Sequence, residues 1–314
     1  MQIITYTPKI ILVKKIIVIL SVAFSCLSAY PQEFDTSPTI GLFAGAINYQ
    51  GDLKPNSFTL KHSNLMLSLI LRKPLNRWFA IKTGVSIGKI EAADRFNRYY
   101  LQRRNLSFAS NLKELYTVLE ADIFDISVKK LTPYAYGGIV LFHFSPFTLD
   151  ADNNKIYLQP LSTEGQGLPD YPDRKIYKLT QFAAAFGGGL KVAVNDCSSI
   201  AIEFSQRKTF TDYLDDVSTS YIDQNKLLAA RGQQAVALAY RGDEVNDGSP
   251  YPPDGEQRGT PTEADWYYFI GISADFRINC LKEKLSAIFQ SSAGLFNRTR
   301  SSRNQYYKRC PTMY

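Results

Sequence analysis

Hydrophobic and polar residues alternate with a period of two along much of the chain, and this pattern is typical of β-strands. Leu65, Leu67, Leu69 and Leu71, for example, fall on one face of a single segment. Turn-forming residues separate the alternating segments. Together they predict eight strands, at residues 39–49, 64–72, 78–89, 112–124, 132–143, 178–193, 199–211 and 265–277.

The connections between the predicted strands alternate in length. Those after the second, fourth and sixth strands are short, whereas the others are long, and the last one runs from about residue 212 to 264. Short turns on one side and long loops on the other are characteristic of outer-membrane barrels. The pattern therefore predicts an all-β fold, an eight-stranded antiparallel transmembrane barrel, in the outer membrane. An even strand number places both termini in the periplasm.

The polar faces of the strands favour the membrane barrel over a soluble β-sandwich or a lipocalin-like barrel, which are the alternatives. They mix acids, bases and glycines, as expected of an interior that side chains must fill. Tyr and Trp residues collect near strand ends, as in an aromatic girdle. We expect a paired charge network in the interior, formed by Lys82, Glu114, Glu120, Asp122, Glu203, Arg207 and Asp275. Such a narrow, filled barrel is unsuited to a general porin and suits an anchor, plug or receptor.

The two ends of the chain differ from the predicted barrel, which we place at residues 31–278. Residues 1–30 have the layout of a secretory signal peptide, with Lys14 and Lys15 before an apolar run. An uncleaved anchor, or a lipoprotein acylated at Cys26, is the alternative. Residues 279–314 form a basic periplasmic tail with a possible helical part. Because the signal contributes +3 and the tail +6 to a net charge of +7, the barrel itself is nearly neutral. This distribution argues against nucleic-acid binding.

Export would place the cysteines in an oxidising compartment. Cys197 falls in a predicted periplasmic turn, and Cys280 follows the last strand. We therefore predict a disulfide between Cys197 and Cys280 at the periplasmic rim.

Few residues suggest chemistry. His143 ends the fifth strand near Ser145, Asp150 and Asp152, but no spacing enforces a catalytic triad. The glycines at 187–189 lack the Lys-Ser/Thr of a phosphate loop, so we expect them either to permit tight barrel curvature or to leave room for an aromatic neighbour. Asp212, Asp215 and Asp216 could ligate Ca²⁺, although a solvated loop is the simpler interpretation. We predict no enzyme, no cofactor, no metal and no small-molecule substrate. The last loop should contain one short helix within residues 225–240.

Several motifs, in this order, resemble one family. They are Gly41–Gly45 with Gly51–Leu53, Arg104–Phe108, Phe142–Pro146, Leu158–Gly167, Arg207–Ser218, Gln257–Gly259 and Asp265–Tyr267. The chain is similar to the Bacteroidota outer-membrane barrel family that includes PorG, a component of the type IX secretion system. The resemblance covers roughly residues 38–277. Ser162 stands where the family pattern has Gly.

The resemblance implies a non-catalytic subunit that supports the secretion apparatus at the outer membrane. Its partners would be membrane lipid and periplasmic ring proteins like PorK and PorN. A structural or adhesive barrel outside any secretion machine is the alternative. The motifs lie at strand ends and loops, where Glu164, Gln166 and Arg207 are expected to bridge backbone groups over the barrel mouth. Loop packing or partner binding is expected of Glu164, Gly165, Gln166, Gly167, Arg207, Thr211, Asp212, Tyr213, Asp215 and Asp216.

Overall fold

The computed structural model describes residues 36–55, 63–245, 250–280 and 282. The predicted signal peptide and nearly all of the predicted basic tail lie outside these residues. Within them the chain forms ten strands: β1 Thr39–Gln50, β2 Asn64–Pro74, β3 Phe79–Ala93, β4 Ser107–Asp122, β5 Leu131–His143, β6 Pro146–Leu149, β7 Lys155–Tyr157, β8 Thr180–Asn195, β9 Ser198–Thr209 and β10 Trp266–Arg277.

Eight of these strands close into a barrel in the order β1-β2-β3-β4-β5-β8-β9-β10. Every neighbouring pair is antiparallel. The barrel closes between the first and last strands, with a register that runs from Thr39 opposite Arg277 to Gln50 opposite Trp266. The eight-stranded antiparallel barrel predicted from the alternation is therefore confirmed.

The two faces of the wall have opposite character. On β2, Leu65, Leu67, Leu69 and Leu71 point outward and are 43–64% exposed, whereas Met66 and Ile70 point inward and are buried. The same outward series of leucine, isoleucine, valine and phenylalanine continues around the barrel. A continuous apolar exterior around an interior filled by side chains, many of them charged, is the arrangement of a transmembrane barrel, because only lipid covers such a surface favourably. A water-soluble barrel would have the reverse arrangement.

The connections give the barrel two distinct ends. Residues 75–78, 123–130 and 196–197 make the short connections at one end, here called the turn end. The long connections gather at the other end, here called the loop end. Their described residues are 51–55, 63, 94–106, 144–179, 210–245 and 250–265.

The loop-end connections contain structure that the alternation did not predict. β6 continues past the end of β5, pairs with β4 through Phe147 opposite Ala109, and forms a hairpin with β7. Three α-helices are also present among the described residues: α1 Tyr99–Gln102, α2 Gln224–Arg231 and α3 Gln233–Ala239. The prediction of one helix within 225–240 was wrong, because Gly232, with a φ of +83°, separates α2 from α3. No helix among the described residues is long and apolar enough to cross a membrane.

Candidate functional site

Ion pairs fill the half of the barrel near the turn end. The Arg72 Nε lies 3.0 Å from Glu120 Oε1, and its Nη1 lies 2.8 Å from Asp275 Oδ2. The Lys191 Nζ is 2.6 Å from Glu120 Oε1 and 2.8 Å from Asp122 Oδ1. Because these side chains come from β2, β4, β8 and β10, their charges bridge the whole interior.

A second group of ion pairs lies farther toward the loop end. Lys82 pairs with Glu203, which also accepts hydrogen bonds of 2.8 and 2.7 Å from the hydroxyls of Tyr134 and Tyr136. Arg207 Nε lies 3.2 Å from Glu114 Oε1, which also accepts a hydrogen bond from the hydroxyl of Tyr267. Pairing of this kind offsets the desolvation of buried charges, whereas breaking one pair is strongly unfavourable.

All seven residues of the predicted interior network lie inside the barrel, and each has an oppositely charged neighbour. Arg72 and Lys191, which hold two acids each, were missing from the prediction. Leu71 points outward, so the alternation places the next residue, Arg72, on the inward face of β2. The alternation could therefore have identified Arg72.

The glycines of β8 make room for two interior tyrosines. A Cβ on Gly187 would lie 2.4 Å from the Phe204 carbonyl oxygen of β9 and 2.7 Å from the Tyr136 hydroxyl. One on Gly189 would lie 2.0 Å from the Ile202 carbonyl oxygen and 3.0 Å from the Tyr134 hydroxyl. These are the two hydroxyls that bind Glu203. The glycines therefore leave room for the tyrosines that support the ion-pair network, which is the second of the two roles expected of them.

Above the ion pairs, the loops roof the barrel mouth, and Glu164 is the centre of this roof. Its Oε1 accepts hydrogen bonds of 2.9 Å from the Ser218 amide and from Arg258 Nη1. Its Oε2 accepts from the Thr219 amide, the Thr219 hydroxyl and the Tyr213 hydroxyl at 2.7–3.2 Å. One buried carboxylate thus joins residues 144–179 to both ends of residues 210–265.

Arg258, and not Arg207, bridges backbone groups over the mouth. Besides Glu164, Arg258 donates to the carbonyl oxygens of Asp216 and Ala239 at 2.5 and 3.2 Å. The prediction for Arg207 was wrong in this respect, because its side chain turns into the barrel, where it pairs with Glu114. Arg258 lies in the motif Gln257–Gly259, but only the folded loop shows that its partner is the carboxylate of Glu164.

The segment around Glu164 is shaped by left-handed backbone. Gly165 and Gly167 have φ angles of +78° and +74°, and the Gln166 side chain accepts a 3.1 Å hydrogen bond from the Glu164 amide. Ser162 also adopts a left-handed φ of +51°. A glycine would adopt this conformation more readily than a serine.

Three further acids close the start of the last loop. Asp216 accepts hydrogen bonds of 2.5 and 2.7 Å from the hydroxyls of Thr163 and Tyr177. Asp215 and Asp265 both accept a hydrogen bond from the Tyr49 hydroxyl, at 2.6 and 2.8 Å. Thr211 reinforces this turn, because its carbonyl accepts a 3.0 Å bond from the Asp265 amide.

Burial raises the pKa of several of these acids. Desolvation raises the pKa of Asp212 to about 8 and, together with repulsion from Asp52, that of Asp215 to about 8. Desolvation raises the pKa of Asp216 to about 6, despite the opposing charge of Arg258. Desolvation and the neighbouring Glu164 raise the pKa of Tyr213 to about 12. The roof therefore holds protons that a solvated loop would release.

Most of the residues considered for chemistry make hydrogen bonds within the fold. Among the described residues, no group of three or more His, Cys, Asp or Glu side chains is arranged to hold a metal ion. Asp215 and Asp216 are buried, so they do not form the solvated loop that the sequence suggested. His143 is exposed on the barrel exterior, and its Nδ1 lies 2.9 Å from Thr180 Oγ1. Asp150 accepts hydrogen bonds from Asp152 and Asn154 within its own turn.

At the turn end, Cys197 and Cys280 are joined by a disulfide with a Cα–Cα distance of 5.8 Å. The bond links the turn between β8 and β9 to the segment that leaves β10. It is the pair proposed from the sequence.

Comparisons with known proteins give a family and several weak structural likenesses. A family model described as a domain of unknown function, DUF6089, matches residues 14–231. No curated protein matches the chain. Among solved structures, it resembles the neisserial surface protein A, NspA, with a TM-score of 0.40 and 8% identity over 77% of this chain and 97% of that one.

Two other solved structures are similar at the same low identity. Ail of Yersinia pestis, crystallised with a heparin analogue, has a TM-score of 0.36 and 8% identity over 77% of this chain and 100% of that one. OprG of Pseudomonas aeruginosa has a TM-score of 0.35 and 8% identity over 77% and 97%. Because the family model spans more than half of the sequence, the chain belongs to the DUF6089 family.

Proposed function

We propose that this barrel is a non-catalytic subunit of a protein-secretion apparatus in the outer membrane, similar in role to PorG of the type IX system. One observation carries the proposal. The interior is filled by ion pairs and the mouth is roofed by hydrogen-bonded loops, so the barrel is built to be solid. A solid barrel anchors or organises other proteins, whereas a pore or transporter needs a path for solute.

The proposed orientation places the turn end in the periplasm. Both described ends of the barrel chain are tied together there, because the Ile278 amide donates to the Pro38 carbonyl at 3.0 Å and Asn279 bonds Ser37. The disulfide fixes the start of the tail at the same rim. The segment that follows residue 279 would therefore begin in the periplasm.

The proposed partners are periplasmic ring proteins like PorK and PorN. Residues 279–314 carry seven basic side chains and one acid, Glu283, so an acidic surface is the complementary partner. The disulfide-anchored start of this segment is where we place the contact with the ring.

The test is deletion followed by complementation. Loss of the chain should trap secreted cargo in the periplasm, and the full chain should restore export. A chain that ends after residue 280 keeps the barrel and disulfide but lacks the basic segment, and we expect it to reach the membrane without restoring export. Affinity purification from solubilised outer membranes should recover ring proteins with the full chain only. Normal secretion in the deletion strain would instead favour the structural or adhesive barrel.

A further inference from the structure

We propose that the loop end carries a binding site for a phosphate-bearing lipid headgroup, built from residues 95–103 and the adjacent barrel wall. The inference goes beyond the secretion role and does not depend on it. It rests on an arginine and aromatic cluster that neither the ion-pair network nor the roof uses.

The cluster consists of six exposed side chains on one short loop. Three are arginines and three are aromatic, and residues 95–103 contain no acid; the six are Arg95, Phe96, Arg98, Tyr99, Tyr100 and Arg103. Phe96, Tyr99 and Tyr100 are 56–65% exposed. Two guanidinium groups lie over rings of the same loop, Arg95 over Phe96 at 4.7 Å and Arg103 over Tyr99 at 5.6 Å.

The loop is held from both ends, so its exposed side chains are presented by a fixed backbone. Arg104 donates to both carboxylate oxygens of Asp94 at 2.7 and 2.8 Å, and this pair is buried. Asp94 also accepts a 3.0 Å hydrogen bond from the Leu106 amide. Two-point pairing of this kind is geometrically specific. The pairing of Asp94 with Arg104 therefore fixes the backbone beside Arg95 and Arg103.

A cavity of about 1010 Å³ lies beside this loop, and basic side chains outnumber acidic ones in its lining. Lys54, Lys89, Arg95 and Arg241 line it, against the two acids Glu91 and Asp150. Both acids are already engaged, because Glu91 lies 2.7 Å from Lys89 and Asp150 accepts from the backbone of its own turn. Lys89 is paired with Glu91, and Arg241 lies 2.8 Å from Glu244, so the excess of positive charge in the lining comes from Lys54 and Arg95. The guanidinium fork of Arg95 suits a phosphate group.

The position of the cavity selects a lipid over a soluble anion. Lys89 follows Val85 and Ile87 on the same outward face of β3, so the basic lining continues directly into the lipid-facing wall. Lys113, on β4, stands opposite Ile87 at the same border. Exposed aromatic and basic side chains immediately above an apolar band are the arrangement expected at the headgroup level of a membrane. A headgroup would place its phosphate among the cations while its chains cover the apolar wall.

The experiment compares headgroups on the full chain. The purified protein is inserted into phosphatidylcholine nanodiscs that contain either a phosphorylated glycolipid (lipid A) or the same lipid without its phosphates, and retained lipid is counted by native mass spectrometry. We expect the phosphorylated form to be retained selectively. The double variant Arg95→Gln/Arg98→Gln should lower retention by about tenfold, because charge-assisted hydrogen bonds to phosphate are lost.

Control variants and competitors make the outcome decisive. Lys226→Gln removes a half-exposed cation from α2 at the same end and should leave retention unchanged. Equal retention of both lipid forms, or unchanged retention in the double variant with folding verified by heat-modifiable electrophoretic mobility, would overturn the proposal. Displacement of the lipid by millimolar inorganic phosphate would assign the site to free phosphate instead and would overturn the lipid assignment.

Discussion

At the scale of single residues, Glu164 and Arg258 hold the loop-end roof together. Arg258 meets Glu164 across 94 residues of sequence, and both side chains are buried. We expect Arg258→Met to destabilise the roof by about 3–5 kcal/mol, because the Glu164 carboxylate would remain buried without its cation. Limited proteolysis within residues 210–265 measures the effect.

Lys226→Met serves as the matched control for that variant, because it removes a half-exposed cation from the same loop. We expect wild-type protection in the control. Both variants should still form the barrel, since the strands contribute their own pairing. Wild-type protection in Arg258→Met would contradict the importance assigned to the pair.

The protonation of Asp212 gives the roof a dependence on pH. Its pKa is raised to about 8 in the folded protein, above the value of about 4 expected in an unfolded chain. The folded roof therefore binds more protons between these values, and its stability falls as the pH rises from about 4 to 8. We expect hydrogen exchange of residues 210–265, corrected for intrinsic rates, to be slower at pH 6 than at pH 8.5.

Asp212→Asn removes the titrating carboxyl group and should therefore reduce this pH dependence. For each unit of pKa shift that is removed, we expect the ratio of the exchange rates at pH 8.5 and pH 6 to fall by up to about tenfold. Asp215 and Asp216 would retain part of the effect, since their pKa values are also raised. If the stability of the roof in the wild-type chain increases with pH, the predicted direction of the pH dependence is wrong.

At the scale of elements, β8 has small inward residues because the opposing strand carries large ones. Gly187 and Gly189 face Tyr136 and Tyr134 of β5. We expect Gly187→Val to destabilise the barrel by about 1–3 kcal/mol through overpacking against Tyr136 and the Phe204 carbonyl oxygen. Urea unfolding in detergent, followed by tryptophan fluorescence, provides the measurement.

Gly137→Val is a useful comparison for that variant. A Cβ at Gly137 would meet its nearest atom only at 3.9 Å, so the added side chain has room. We expect a much smaller change in the free energy of unfolding than for Gly187→Val. Equal effects would mean that strand propensity, and not the space beside Tyr136, sets the outcome.

The disulfide is the covalent element at the turn end. Its cysteines are 83 residues apart, and closing so long a loop restricts the unfolded chain. We expect Cys197→Ser/Cys280→Ser to lower the free energy of unfolding by about 2–4 kcal/mol. The double variant should also give the same urea midpoint with and without reductant, whereas the wild-type midpoint should fall on reduction. A wild-type midpoint insensitive to reductant would contradict a stabilising role.

At the scale of the whole molecule, the sequence predicts the wall of the barrel far better than its contents. The eight strands follow from period-two alternation, because one side of each strand meets lipid and the other meets side chains. The inward acids were recognisable for the same reason. The pairing of Arg72 with both Glu120 and Asp275 could not be predicted in this way, because it depends on β2, β4 and β10 facing one another across a closed barrel.

The roof was predictable only as a set of motifs. Glu164 and Asp216 were identified as loop-packing residues, but Arg258 was not assigned as their partner. The reason is physical, because irregular loops have no period from which contacts can be inferred. Gly232 shows the same limit, since the helical composition of residues 225–240 gave no indication that its positive φ would divide the helix.

The outward leucine and isoleucine faces of the barrel are expected to contact lipid, and the accessibility of spin labels on these faces measures that contact. Labels are placed singly at Leu67, Leu115, Ile202 and Ile272, which are 43–58% exposed, and at Arg103 of the loop end, in a chain that carries Cys310→Ser and keeps its disulfide. After reconstitution into bilayers, the four strand sites should be relaxed more strongly by oxygen than by a water-soluble nickel chelate. Arg103 should show the reverse. If the strand sites are more accessible to the nickel chelate, or are shielded from both agents, the outward faces of the strands do not contact lipid.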